Sequence, residues 1–344
     1  MTEQPDVVQY ICENEKNPLH LFHTVFQPLV YGVVFLLGLT GNGLLLTVLL
    51  KRRNNLRITE IYLLHLALAD LLLLFTLPFA VTQGAAGWLF GTFLCKLLGL
   101  INRLNLMCGS LLLACIGFDR YLAIVHAIPS LQARRPRMVH LTCGLLWLIC
   151  LSVTIPNMVF LSVGKEVNST RLSCSYHNYG IHASNWLLTS RFLTHLLCFF
   201  LPLVIMGYCY TSIIITLCQS QRSLEKQGAI RLALLVTVVF CLCWLPYNIT
   251  VFMHTLVVLG VKQDCHAHDT LNRALIVTES IGFSHCCLNP ILYAFIGVRF
   301  RRDLLQLLAK TKCLRACLSG LQRKSLNRMS ITEAITTTTS NQYI

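Results

Sequence analysis

Long stretches without a single Asp, Glu, Lys or Arg constrain this chain more than any other feature, because they decide its solvent. They cover Pro28–Leu50, Leu71–Cys95, Leu104–Phe118, Met138–Gly164, Phe192–Gln221, Leu232–Val261 and Ser280–Val298. A hydrocarbon core about 30 Å thick is crossed by roughly 20 helical residues. With the third run taken as part of a span from Cys95 to Val125, the pattern predicts seven crossings. Backbone polar groups in lipid must be satisfied within their own segment, so each run is a helix and an open sheet is excluded. The predicted class is an all-α membrane protein, a seven-transmembrane helix bundle. Hydrophobic residues at 55% and charged residues at 12% agree that water is not its main solvent.

Basic residues sort by alternate loops. Lys51, Arg52, Arg53 and Arg57 follow the first span, Arg134, Arg135 and Arg137 the third, and Arg222, Lys226 and Arg231 surround the link from fifth to sixth. The other loops are poor in Lys and Arg, which places the N-terminus outside and the C-terminus in the cytoplasm. The first 27 residues are polar and mixed, so no cleavable signal peptide is expected and the first span acts as the insertion signal. The formal charge of +14 needs no nucleic acid: Arg299 to Arg328 alone hold nine Lys or Arg that can meet the anionic inner leaflet of the lipid bilayer. The chain divides into an acidic outer tail (1–27), the bundle (28–298), an amphipathic membrane-surface helix (299–312) and a cytoplasmic tail (313–344).

Of 17 cysteines, this topology leaves Cys12, Cys95, Cys174 and Cys265 outside. Four cysteines allow three pairings. The favoured one joins Cys95 to Cys174, which fastens the second outer loop to the third span, and Cys12 to Cys265, which fastens the tail to the seventh. The tail carries Glu3, Asp6, Glu13 and Glu15 around Tyr10, a lure for a basic partner. Tyr10 is a candidate for sulfation or an ordinary solvated tyrosine. Asn168-Ser169-Thr170 is an outer-loop glycosylation acceptor, whereas Asn248-Ile249-Thr250 falls inside a span and is discounted.

Inside the spans, Asp119-Arg120-Tyr121 puts an ion pair at a membrane helix end, roughly 36 Å from Cys95 on the same helix. That reads as a switch. Trp244 and Pro246 make a bend with a lever in the sixth span, and Asn289, Pro290 and Tyr293 make a second weakened helix in the seventh. Asp70 must face polar partners, for which Asn42, Asn105 and Asn289 are available. The set suits either a hydrated sodium ion or a structural hydrogen-bond network. Glu279 awaits a basic ligand group, or else pairs with Arg103 or Arg191. Beyond the bundle, Cys313 and Cys317 are lipidation candidates or free thiols. Ser325, Ser330, Thr332, Thr336, Thr337, Thr338, Thr339 and Ser340 form a phosphorylatable tail.

These motifs together resemble the rhodopsin-like class of G-protein-coupled receptors. Asp119-Arg120-Tyr121-Leu122-Ala123-Ile124-Val125-His126, Thr76-Leu77-Pro78-Phe79, Trp88, Glu279 and His285-Cys286-Cys287-Leu288-Asn289-Pro290 are similar to the chemokine receptors. The CXC branch fits best. Leu113-Ala114-Cys115-Ile116, Thr189-Ser190-Arg191-Phe192-Leu193 and Gly91-Thr92-Phe93-Leu94-Cys95-Lys96 are similar to its B-cell-homing kind. The resemblance implies a plasma-membrane receptor. Its basic CXC chemokine would meet the acidic tail and then Trp88, Arg191 and Glu279. A heterotrimeric G protein of the inhibitory class would engage Arg120, supported by Tyr210 and Tyr293. Receptor kinases and arrestin would act on the tail. Ala80, Asn157, His254 and Gly109 depart from the pattern, the last removing a hydroxyl that sodium would use. No cofactor other than an allosteric sodium ion is implied. Two other classes compete: a chemokine scavenger, against which the intact Asp119-Arg120-Tyr121 argues, and an ion or proton transporter, against which the lack of internal repeats argues. No nucleophile or metal-ligand spacing supports an enzyme.

Overall fold

The computed structural model describes residues 22–126, 136–165, 171–176, 181–219, 224–259, 265–296 and 304. Its helices are α1 (Gln27–Lys51), α2 (Ile58–Ala86), α3 (Gly91–Ile124), α4 (Pro136–Phe160), α5 (Ile181–Thr194), α6 (Leu201–Gln219), α7 (Leu224–Val258) and α8 (Cys265–Ile296). A π-helical stretch, His195–Phe200, joins α5 to α6 into one crossing, giving seven membrane-length spans. Pro202 explains the wide turn. It has no N–H for the Cys198 carbonyl, and the neighbouring Leu201 N–H bonds back to Leu196.

Most spans are apolar all round, so Leu29, Leu36, Phe75, Leu148 and Val204 remain exposed for lipid. The third span differs. Of its apolar window 61% is buried, against 28–44% for the others, and it packs on α2, α4, α6 and α7. It is the central column, with Cys95 near one end and Asp119 near the other. Elsewhere glycines make room for a neighbouring helix's side chains: a Cβ on Gly38 would lie 2.7 Å from the Leu74 side chain, and one on Gly41 2.9 Å from the Pro290 ring.

Beyond α4, strands β1 (Leu161–Lys165) and β2 (Leu172–Tyr176) pair antiparallel with Val163 opposite Cys174. Cys174 is disulfide-bonded to Cys95, as expected.

Two predicted spans are displaced. The second occupies Ile58–Ala86 rather than Leu71–Cys95, and the membrane-length part of the seventh is Thr270–Leu292 rather than Ser280–Val298. Absence of charge marked the wrong boundaries because the bundle interior accepts Asp70 and Glu279. A turn ends α2 where no charge stands. There Gly87 has φ 86°, and a Cβ on it would meet the Leu172 carbonyl at 2.9 Å. The residues through Leu292 form one compact unit, and the expected end of the bundle at 298 lies outside the described residues. Of the expected surface helix 299–312, Leu304 alone is described, and it is helical.

Candidate functional site

At the Asp119 end, Arg120 Nη2 lies 3.6 Å from the Asp119 carboxylate and also contacts the Thr59 hydroxyl of α2. The Arg120 Nε is buried without a hydrogen-bond partner. The guanidinium thus rests between the Asp119 carboxylate and the Thr59 hydroxyl. Tyr210, buried on α6, accepts a 3.3 Å hydrogen bond from Thr237 of α7 and lies within electrostatic reach of Arg120. Tyr121 instead packs against Tyr208, with their hydroxyls 3.3 Å apart, and its hydroxyl is 3.0 Å from His126 Nε2.

Midway along the bundle, Asp70 is fully buried. Its Oδ1 meets Asn105 Nδ2 at 3.3 Å, Cys286 Sγ at 3.3 Å and His285 Nε2 at 3.4 Å, while Oδ2 accepts from Asn289 Nδ2 at 3.0 Å. Asn42 is not a partner of the carboxylate, contrary to expectation. Its Nδ2 reaches the Cys286 carbonyl at 2.8 Å and the Gly38 carbonyl at 3.0 Å, fastening α1 to α8. The donor set fits sodium poorly. A hard cation wants oxygen ligands, yet imidazole, thiol and amide groups crowd Asp70, and Gly109 supplies no hydroxyl.

Above this cluster sits Trp244, 3% exposed, its ring 5.5 Å from His285 and 6.1 Å from Phe283. Pro246 lies within α7 two residues on, where it removes one helix hydrogen-bond donor. A Cβ on Gly282 would lie 2.9 Å from the indole edge, so α8 carries glycine where the tryptophan crosses it. Gly282→Val should push the indole out of this seat and destabilise the folded protein by about 1–3 kcal/mol through overpacking. A thermal melt followed by tryptophan fluorescence checks this; an unchanged midpoint would show that the seat is loose.

At the Cys95 end, Glu279 is half-buried on α8. The Tyr31 hydroxyl of α1 donates to its Oε2 at 3.4 Å, and Arg103 of α3 acts on it electrostatically. Arg103 also donates to Thr194 at 2.7 Å, whereas Arg191 reaches His254 at 3.1 Å and Thr255 at 3.2 Å across to α7. The result is a partly exposed carboxylate inside the bundle, hydrogen-bonded to a phenol and within electrostatic reach of a guanidinium. Trp88 does not join it. It is buried in a cluster with Cys95, Leu98 and Leu161, and its Nε1–H donates to the Gly91 carbonyl at 2.8 Å. It is a floor beneath the disulfide rather than the ligand contact expected.

An ion pair toward one end of a central helix, a partly exposed carboxylate toward the other and a buried polar cluster between them agree with what comparison shows. The family model described as "7 transmembrane receptor (rhodopsin family)" matches residues 41–293. Human C-X-C chemokine receptor type 5 is 44% identical over 89% of this chain and 83% of its own. The rat type 5 receptor is 42% identical over 98% and 92%. Human C-X-C chemokine receptor type 3 is 41% identical over 88% and 81%. The chain belongs to the chemokine receptors of the rhodopsin family.

As a chemokine receptor it is a multi-pass plasma-membrane protein that answers a chemokine by coupling to a G protein, and it is not an enzyme. Of the site residues expected from sequence, the receptor brings Asp70, Asn105 and Asn289 together at the core and closes Arg120 on Asp119. Cys265 and Tyr293 lie on the α8 backbone, their side chains outside the described residues. Also outside are Glu3, Asp6, Tyr10, Cys12, Glu13, Glu15, Asn168, Cys313, Cys317 and the serines and threonines from Ser325 to Ser340. Sequence reasoning missed Thr59, Tyr31 and the roles of His285 and Cys286. Tyr31 was findable as a phenol within an apolar run. Thr59 carries no such signal.

Proposed function

We propose that this receptor binds a basic CXC chemokine outside the cell, activates an inhibitory-class heterotrimeric G protein inside, and thereby directs B-cell chemotaxis. The observation that carries the proposal is the half-buried Glu279 carboxylate, which accepts a 3.4 Å hydrogen bond from Tyr31 and lies within electrostatic reach of Arg103, a group that a ligand amine could engage. Ligand binding favours a state in which the inner end of α7 swings outward and Arg120 leaves Asp119 for the G protein. The alternating basic loops support an outer N-terminus. On this orientation Asn168 carries glycan, Cys12 pairs with Cys265, and the inner tail takes lipid at Cys313 and Cys317. Receptor kinases phosphorylate Ser325 to Ser340, and the added charge recruits arrestin.

The acidic tail governs encounter and Glu279 governs activation. Tail charges act through solvent, where the Debye length is roughly 8 Å at 0.15 M ionic strength, so they raise the association rate and lose influence as salt rises. A panel of CXC chemokines is tested for binding and for migration of receptor-bearing cells, and the strongest ligand is then measured on two variants. Neutralising Glu3, Asp6, Glu13 and Glu15 should slow association and flatten its salt dependence. Glu279→Gln should lower the maximal response more than the affinity. No binding by any chemokine of the panel, or a full response from Glu279→Gln, would overturn the reading.

A further inference from the structure

We propose that His65 of α2 and His140 of α4 together bind a divalent transition cation of the zinc and copper class, on the lipid-facing flank of the bundle toward its Asp119 end. The two imidazoles come from different spans, yet His65 Nε2 lies 3.4 Å from His140 Nδ1. That is longer than the roughly 2.7–3.2 Å that N–H donors ordinarily keep to oxygen. It matches the edge of a metal tetrahedron, since zinc–nitrogen bonds of about 2.0–2.1 Å set edges of roughly 3.3–3.4 Å. The ring planes are 61° apart with centroids 5.7 Å apart, so the rings meet through their nitrogens and are not stacked face to face.

Their surroundings point the same way. His140 is exposed and His65 half-buried, and Leu68, Met138 and Leu141 beside them in sequence are exposed for lipid. Polar side chains within spans ordinarily face the bundle interior, so a pair turned outward is costly unless used. Among the described residues no carboxylate, hydroxyl or carbonyl bonds either ring. A hydrogen bond between two neutral imidazoles engages one N–H and one lone pair. A cation engages a lone pair from each and turns both N–H groups outward. The place is also within reach of water. His140 stands roughly 6 Å along α4 from Pro136, and His65 roughly 10 Å along α2 from Ile58. Water fills the remaining positions, which makes the site open and exchangeable rather than a closed four-ligand one. Imidazole donors suit zinc, copper and nickel, with copper the tightest, and leave magnesium and calcium to oxygen sites.

Helices α2 and α4 each pack on α3 and also touch one another. An ion on this pair closes the third side of that triangle with two metal bonds. Glu279 and Trp244 stand on α8 and α7, so the ion neither competes for the Glu279 carboxylate nor touches the indole.

The test uses full-length receptor in lipid nanodiscs, equilibrated with buffered free Zn2+ or Cu2+ and analysed for bound metal and thermal midpoint, with Mg2+ as a parallel arm. Wild type should hold one more zinc equivalent than His140→Leu or His65→Gln, and the double variant should lose no more than either single one, because both ligands serve one ion. The wild-type midpoint should rise by roughly 5 °C at a free zinc about 100 times Kd, and Mg2+ should not move it. Copper should bind more tightly, and the difference between wild-type and His140→Leu electron paramagnetic resonance spectra should show splitting from two imidazole nitrogens. His65 is half-buried and its replacement can disturb packing, so His140→Leu, at an exposed position, decides the matter. Equal metal content in wild type and His140→Leu, with the same zinc shift in both or in neither, would overturn the proposal and leave a plain imidazole pair. None of these readouts uses a chemokine, so they stand apart from the proposed function.

Discussion

Arg120→Asn should abolish G-protein activation while leaving chemokine affinity within a few-fold of wild type. The guanidinium sits by Asp119 at the far end of α3, roughly 36 Å along the helix from Cys95 and roughly 26 Å from Arg103, the α3 residue that acts on Glu279. It cannot touch a ligand there. Asparagine keeps a donor for Asp119, so the carboxylate is not left as an unpaired buried charge, a loss that ordinarily costs several kcal/mol. What disappears is the forked cation that would leave Asp119 and Thr59 for the G protein. Surface staining, ligand binding and G-protein activation on the same cells check this. Normal signalling at normal expression would mean that the ion pair is a passive interface contact.

Cys95→Ala should remove the receptor from the cell surface or abolish binding, and Cys174→Ala should do the same. The bond closes a loop with a sequence separation of 79, and loss of a native disulfide typically costs about 2–5 kcal/mol. More than chain entropy is at stake. Cys95 is fully buried with Trp88, Leu98 and Leu161, and Cys174 holds β2 where Leu172 accepts the Trp88 N–H at 2.7 Å. Freeing Cys174 therefore releases the hairpin and the turn at Gly87 together. The double variant should behave like either single one, because both ends serve one bond. Wild-type binding by any of the three would show that hydrophobic packing alone secures this end.

Much of the receptor was written in local pattern. Charge-free runs specify helices in lipid because no water is present to take up an unpaired backbone group, which is why seven spans were legible before any contact was known. The same solvent made Asp70, Asp119 and Glu279 conspicuous, since a carboxylate in an apolar helix needs a partner or a use. The Cys95–Cys174 bond was favoured among three pairings, and the structure contains it.

Identity and spacing could not say which partner each group would find, because those partners come from other helices. Asp70 meets His285 and Cys286 across a separation of more than 200 residues, while Asn42, equally eligible by composition, turns to a backbone carbonyl. Trp88 looked available for ligand until packing put it beneath the disulfide. The ends of α2 were misplaced because its turn depends on Gly87 meeting the backbone of β2, a strand that follows it by some 85 residues. The sequence alone therefore determined the number of spans, their helical nature and the residues too costly to bury unused, because lipid acts on each segment separately. Only the tertiary structure decided which of those residues share a site, because hydrogen bonds and ring contacts act over a few ångströms and the order of residues along a chain does not reveal which helices will lie that close.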